Sequence, residues 1–102
     1  MPVVVINAVT VPPEHREQFE ARFRGRAGHV SKAEGFEAFE LLRPREGDRY
    51  LVYTRWRSEE DFEAWRQSAY FAEGHRQHHE SGPVSTSSEV WTLDVLEAEH
   101  AG

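Results

Sequence analysis

Residues 3–11 read VVVINAVTV, a run without charge in which β-branched side chains dominate. Such a run folds as a β-strand. Alternation puts Val3, Val5, Asn7, Val9 and Val11 on one face and Val4, Ile6, Ala8 and Thr10 on the other. Both faces are apolar, so the strand needs cover on both sides. One polar side chain interrupts the first face. Asn7 carries an amide with two donors and an acceptor, and leaving such a group buried and unpaired costs about 1–3 kcal/mol. Either it bonds to neighbouring backbone, or it lines a cavity and presents its amide to a ligand.

The rest of the chain alternates between two periods. Pro12 and Pro13, followed by Glu14 and Glu17, have the chemistry of a helix start. Phe19 and Phe23 then share a face at helical spacing, bordered by a ridge of Arg22 and Arg26, before Gly25, Gly28 and a turn at Gly35. FEAFELL (36–42) reads as a strand and RPREGD as a turn. RYLVYTRWR (49–57) is the next strand, with Tyr50, Val52, Thr54 and Trp56 on one face and Leu51 and Tyr53 on the other. Ser58 with Asp61 three residues on forms a capping-box variant for a second helix carrying Phe62 and Trp65. AYFAEGHRQHHE continues it, with a break expected near Ser68–Tyr70. SGPVSTSS is a loop, and EVWTLDVLEA (89–98) a last strand with Trp91, Leu93 and Val95 on one side. The tail over 97–102 is expected to fray.

The order β-α-β-β-α-β predicts a single α+β domain over residues 1–102, ferredoxin-like, with one antiparallel sheet and both helices on one face. Two helices cannot cover both sides of one sheet. The doubly apolar first strand therefore predicts a homodimer in which two sheets pack face to face.

Composition narrows the function. A chain of 102 residues with 38% hydrophobic and 29% charged residues is a globular domain with a real core. The formal net charge of −6 argues against a nucleic-acid binder, although Arg16, Arg22, Arg24 and Arg26 crowd one segment and allow a local anion site. The absence of cysteine excludes disulfides and thiolate chemistry. No signal-peptide pattern and no spanning apolar stretch is present, so a cytoplasmic protein with no membrane partner is expected.

Besides Asn7, two features could carry chemistry. His75, His78 and His79 are three of the six histidines, and the i,i+4 pair His75/His79 can share a helix face and bind a metal. No cysteine or carboxylate pattern completes a zinc motif, so a solvated helix end is the ordinary alternative. Trp65, at helical spacing from Phe62, reads as a core residue when taken alone.

Taken together, these residues resemble the IsdG/MhuD group of haem-degrading monooxygenases, within the antibiotic biosynthesis monooxygenase superfamily. That group's signature is an Asn on the first strand, a Trp on the second helix and a His about ten residues later, here Asn7, Trp65 and His75. MPVVVINAVTVP, RFRGR and GFEAFELLRPREGDRYLVYTRW are similar to the MhuD branch, whereas the Trp65-to-His75 spacing is more like the IsdG branch. The two branches differ in how they cut the haem ring.

The resemblance implies a dimeric α/β barrel and haem b as both substrate and cofactor. It implies His75 as the iron ligand, Asn7 facing it as a donor to oxygen, and Trp65 pressing the porphyrin out of plane. Arg22 and Arg26 would hold the propionates and Phe23 would line the pocket. Electrons would come from an external reductase or small reductant, because the chain has no flavin or nicotinamide motif. On an ideal helix Trp65 and His75 lie roughly 80° apart, so bordering one pocket requires the break near Ser68–Tyr70. The alternatives are a cofactor-independent quinone-forming monooxygenase of the same superfamily and a haem-binding or storage protein without turnover.

Overall fold

The opening run is the strand β1 (Val3–Thr10), and it lies inside the sheet, paired antiparallel on both edges. The computed structural model describes residues 1–24, 31–67 and 87–101. A 3-10 turn at Pro13–His15 leads into helix α1 (Arg16–Phe23). Strands β2 (Phe36–Leu42) and β3 (Arg49–Trp56) follow, then helix α2 (Glu59–Arg66) and strand β4 (Ser87–Asp94). The four strands run in the order β2-β3-β1-β4, all neighbours antiparallel. This is the ferredoxin-like α+β arrangement expected from the element order.

Cross-strand register assigns the faces. Val3, Val5, Asn7 and Val9 of β1 stand opposite Trp56, Thr54, Val52 and Tyr50 of β3, and directly opposite residues share a face. Both helices pack on that face. At one end Phe19 of α1 joins Val9, Val11 and Tyr50, with Phe23 and Leu41 against them. At the other end Phe62 and Trp65 of α2 pack on Val3, Val5 and Trp56, with Phe36 and Phe39 beside them. The core is thus two apolar clusters, and Asn7 sits on the register row between them. The opposite face carries Val4, Ile6, Leu51, Tyr53, Trp91 and Leu93, and there Trp91 is 39% and Leu93 46% exposed.

Phe36 and Phe39 would point to opposite faces of a regular strand. They share one because β2 shifts register between Phe36 and Ala38, so that Phe36 faces Trp56 and Phe39 faces Thr54. This bulge places two residues opposite one on β3 and turns both rings toward the helices. Glu37, within it, pairs with Arg55 at 2.8 Å.

Element ends depart from the sequence expectation in two places. Helix α1 stops at Phe23, where Arg24 turns extended with ψ 121°; the helix-weakening Gly25 and Gly28 follow in the sequence. Arg22 lies in its last turn, and Arg26 of the expected ridge lies outside the described residues. Strand β4 covers Ser87–Asp94 rather than 89–98, because its partner β1 begins at Val3. Val95 N–H still reaches the carbonyl of Pro2 at 3.0 Å, and beyond it the chain has no regular structure. The expected break at Ser68–Tyr70 lies outside the described residues.

Two polar devices hold the helices on the sheet. Ser58 caps α2, its Oγ accepting from Asp61 N–H at 3.2 Å, with Glu59, Glu60 and Asp61 complementing the helix dipole. The Asp61 carboxylate in turn takes Arg57 Nε at 2.9 Å. On α1, Glu20 accepts from the hydroxyl of the fully buried Tyr50 and from Nε and Nη2 of Arg43 at 2.8 and 3.0 Å. The bonds from Tyr50 and then Arg43 hold the Glu20 carboxyl below the ordinary carboxylate range. Burial, reinforced by the bond to Glu20, pushes the Tyr50 phenol up.

Gly35 turns the chain into β2 at φ +81°, and a Cβ there would run into the Asp61 carboxylate. Gly35→Ala is expected to cost about 2 kcal/mol or more in urea unfolding, since it combines a left-handed backbone with a clash at a cap. Glu20 binds protons less readily folded than unfolded, so its contribution is complete above the ordinary carboxylate range and fades as pH falls through the folded-state value. Glu20→Gln should therefore melt below wild type at neutral pH. The gap should close as the medium is acidified below about pH 4, measured by thermal melts across a pH series.

Candidate active site

A single amide is set into an apolar wall at the middle of β1. Asn7 stands opposite Val52 on β3 and Val90 on β4, with the Val5–Thr54 and Val9–Tyr50 rows on either side. Its side chain is half-buried, and Oδ1 is fully enclosed without a hydrogen-bond partner among the described residues. Neighbouring backbone does not satisfy that oxygen. A buried acceptor of this kind is a place where a ligand or water can supply the missing hydrogen bond.

The helices supply the walls. On the α1 side, Phe23 packs on Phe19 with ring centroids 5.0 Å apart and stacks on Phe39 of β2 at 6.3 Å. Arg22, half-exposed, precedes it in the last turn of α1. On the α2 side, Trp65 leans on Trp56 at 5.6 Å with the rings tilted 37°, and on Phe62 at 6.5 Å. Trp65 is one residue from the end of α2. Val90, beside Asn7 on β4, is 63% exposed, so the strip next to the amide is not filled by packing.

Of the residues marked in the sequence, Asn7, Phe23 and Trp65 belong to this one helix-covered layer, and Arg22 lies at its α1 border. Arg26 and His75 lie outside the described residues. Among the described residues, no group of three His, Cys, Asp or Glu side chains could hold a metal ion, and no helix is long and apolar enough to cross a membrane. The same layer also includes residues that the sequence alone did not tie to Asn7: Phe39 and Leu41 of β2 and Val52 and Thr54 of β3. Their signal was present in the alternation of those strands, but only the pairing register shows that they share the face of Asn7.

Comparison with known proteins places this geometry. The antibiotic biosynthesis monooxygenase family profile matches residues 2–77. A heme oxygenase (mycobilin-producing) of Mycobacterium tuberculosis is 41% identical over 99 residues, covering 94% of this chain and 90% of the relative. A heme oxygenase (staphylobilin-producing) of Staphylococcus haemolyticus is 36% identical over 100 residues, covering 91% and 94%. The solved structure of the heme-degrader MhuD from Mycobacterium tuberculosis, with two hemes bound in its active site, superposes with a TM-score of 0.82 at 37% identity, over 96% of this chain and 99% of that one. The chain belongs to the antibiotic biosynthesis monooxygenase family, and within it to the IsdG/MhuD-type group.

Proposed function

We propose that this chain binds haem b as substrate and cofactor, opens the porphyrin oxidatively and releases the iron. The observation that carries this reading is the enclosed, unpaired Oδ1 of Asn7 in an otherwise apolar wall. A flat macrocycle with an apolar body and a polar centre suits such a wall, which has hydrophobic and aromatic side chains and one amide fixed between them. The relatives named heme oxygenases support the same substrate class.

When bound, haem supplies the redox-active iron and the ring carbons that are oxidised. The residues of the chain bind, orient and exclude water. Asn7, on a strand paired along both edges, would hold its amide at a fixed height, and turning the side-chain amide over, which exchanges the enclosed oxygen for the nitrogen, would present an N–H donor to oxygen at the site. Trp65, backed by Trp56 at 5.6 Å, would press on one side of the macrocycle. Phe23 closes the apolar wall from α1. Arg22 and Arg26 would hold the propionates through charge-assisted hydrogen bonds, and His75 would supply the imidazole that ligates iron. We assign the electrons to an external reductase or small reductant, in keeping with a sequence that carries no flavin- or nicotinamide-binding motif. A cytoplasmic site of action goes with this reading, to which the cysteine-free composition is suited.

The second sheet face belongs to the same proposal. Val4, Ile6, Leu51, Tyr53, Trp91 and Leu93 form an apolar patch, with Trp91 and Leu93 substantially exposed, bordered on the same face by Arg55, Arg49 and Glu89. A surface of this kind calls for a partner, and a second copy packed sheet to sheet would make a dimeric α/β barrel.

Titration with haem is expected to give a shifted Soret band that survives desalting, and that band should be lost in His75→Ala. Asn7→Ala should retain haem yet slow ring opening under oxygen and reductant by on the order of a hundredfold. A Soret band that persists in wild type with no product formed would reduce the protein to a haem carrier. Leu93→Asp should convert a dimer to a monomer by light scattering, since it places a charge on the apolar part of the face that the second copy would bury; an unchanged mass would remove the sheet face from the assembly.

A further inference from the structure

We infer that Thr54 and Trp56 are positioning residues that set where Trp65 stands relative to Asn7 across the site. This rests on the reading of Asn7 and Trp65 as two walls of one haem slot. It gives Thr54 and Trp56 a role beyond lining that layer and backing Trp65.

Thr54 lies on β3 in the helix-covered layer, opposite Val5 of β1 and Phe39 of β2. Its hydroxyl donates to the carbonyl of Val5 at 3.2 Å, which leaves the oxygen's lone pairs to accept the indole N–H of Trp56 at 2.9 Å. Trp56 is fully buried and ringed by three aromatic side chains: Phe36 at 5.8 Å, Phe62 at 5.7 Å and Trp65 at 5.6 Å. An indole in such a cage could sit in either of two flipped orientations. The hydrogen bond to Thr54 selects one, because the other leaves the N–H buried without a partner.

Trp65 then leans on the selected ring at a 37° tilt. A relay results: the Val5 carbonyl, the Thr54 hydroxyl, the Trp56 indole, the Trp65 indole. Val5 is two residues from Asn7 on the same strand and the same face. The strand that carries the amide and the helix that carries the pressing ring are therefore referenced to each other through one hydroxyl. Removing that oxygen leaves Asn7 where the backbone holds it and releases Trp56, and Trp65 follows. The expected effect falls on how the porphyrin is distorted more than on whether it binds.

The test uses the full chain with Thr54→Val and Thr54→Ser, and Trp56→Phe as a second probe that keeps an aromatic ring but removes the N–H. In ligand-free protein the Trp56–Trp65 pair should give a far-ultraviolet exciton couplet, identified by its loss in Trp56→Phe. Thr54→Val should melt cooperatively yet lose or invert the couplet, and Thr54→Ser should retain it. With haem added, Thr54→Val and Trp56→Phe should bind within about tenfold of wild type, shift the out-of-plane porphyrin bands in the resonance Raman spectrum, and lower kcat more than they raise Kd. Wild-type couplet and wild-type porphyrin bands in Thr54→Val overturn the inference, as does a wild-type protein with no couplet assignable to Trp56. If Thr54→Val does not melt cooperatively, unchanged porphyrin bands in Trp56→Phe overturn it instead. Failure of wild type to bind haem at all would sink the functional reading, while the ligand-free couplet would still decide the relay.

Discussion

Every feature of this domain is referenced to a strand hydrogen-bonded along both edges. Because β1 pairs with β3 on one side and β4 on the other, none of its residues can rotate out of register without breaking a ladder. The pleat therefore commits Val3, Val5, Asn7, Val9 and Val11 to one face together. Four of those five are aliphatic and nearly fully buried, so the amide among them is held in place by its neighbours' burial, with its Oδ1 unpaired among the described residues.

That constraint explains the divided core. A valine at position 7 would let the Tyr50 cluster and the Trp56 cluster run together into one. With asparagine there, α1 is anchored over one end by Phe19 and by Tyr50 donating to Glu20. Helix α2 is anchored over the other end by Phe62 and its Ser58 cap. Local consistency between pattern and fold is broken at one position, and sites of chemistry are where such breaks belong. The two helices can be held independently because each has its own apolar anchor and its own polar clamp.

Much of this was legible in the chain itself. The element order follows from switches between period two and period 3.6, and the Ser58 cap from its spacing to Asp61. Asn7 stands out because a lone amide in a valine run needs a partner, either neighbouring backbone or a ligand. Trp65 was not separable from a core residue by spacing, and in the structure it does pack on core aromatics. What the chain did not disclose depends on pairing between segments distant in sequence. The bond from Tyr50 to Glu20 spans 30 residues and that from Thr54 to Val5 spans 49, and neither has a local signature. The extent of β4 is likewise set by the length of β1, not by its own hydrophobic pattern.

The irregularity between Phe36 and Ala38 reaches beyond the rings it turns inward. Strand β2 is an outer strand of the sheet, and an outer strand with a clean row of free amides and carbonyls invites a foreign segment to add on. The extra residue interrupts that row and increases the local twist, and Glu37 sets a charge beside the break. Runaway strand addition along this rim is thereby discouraged, and FEAFELL, five of whose seven residues are apolar, is kept from templating fibrils.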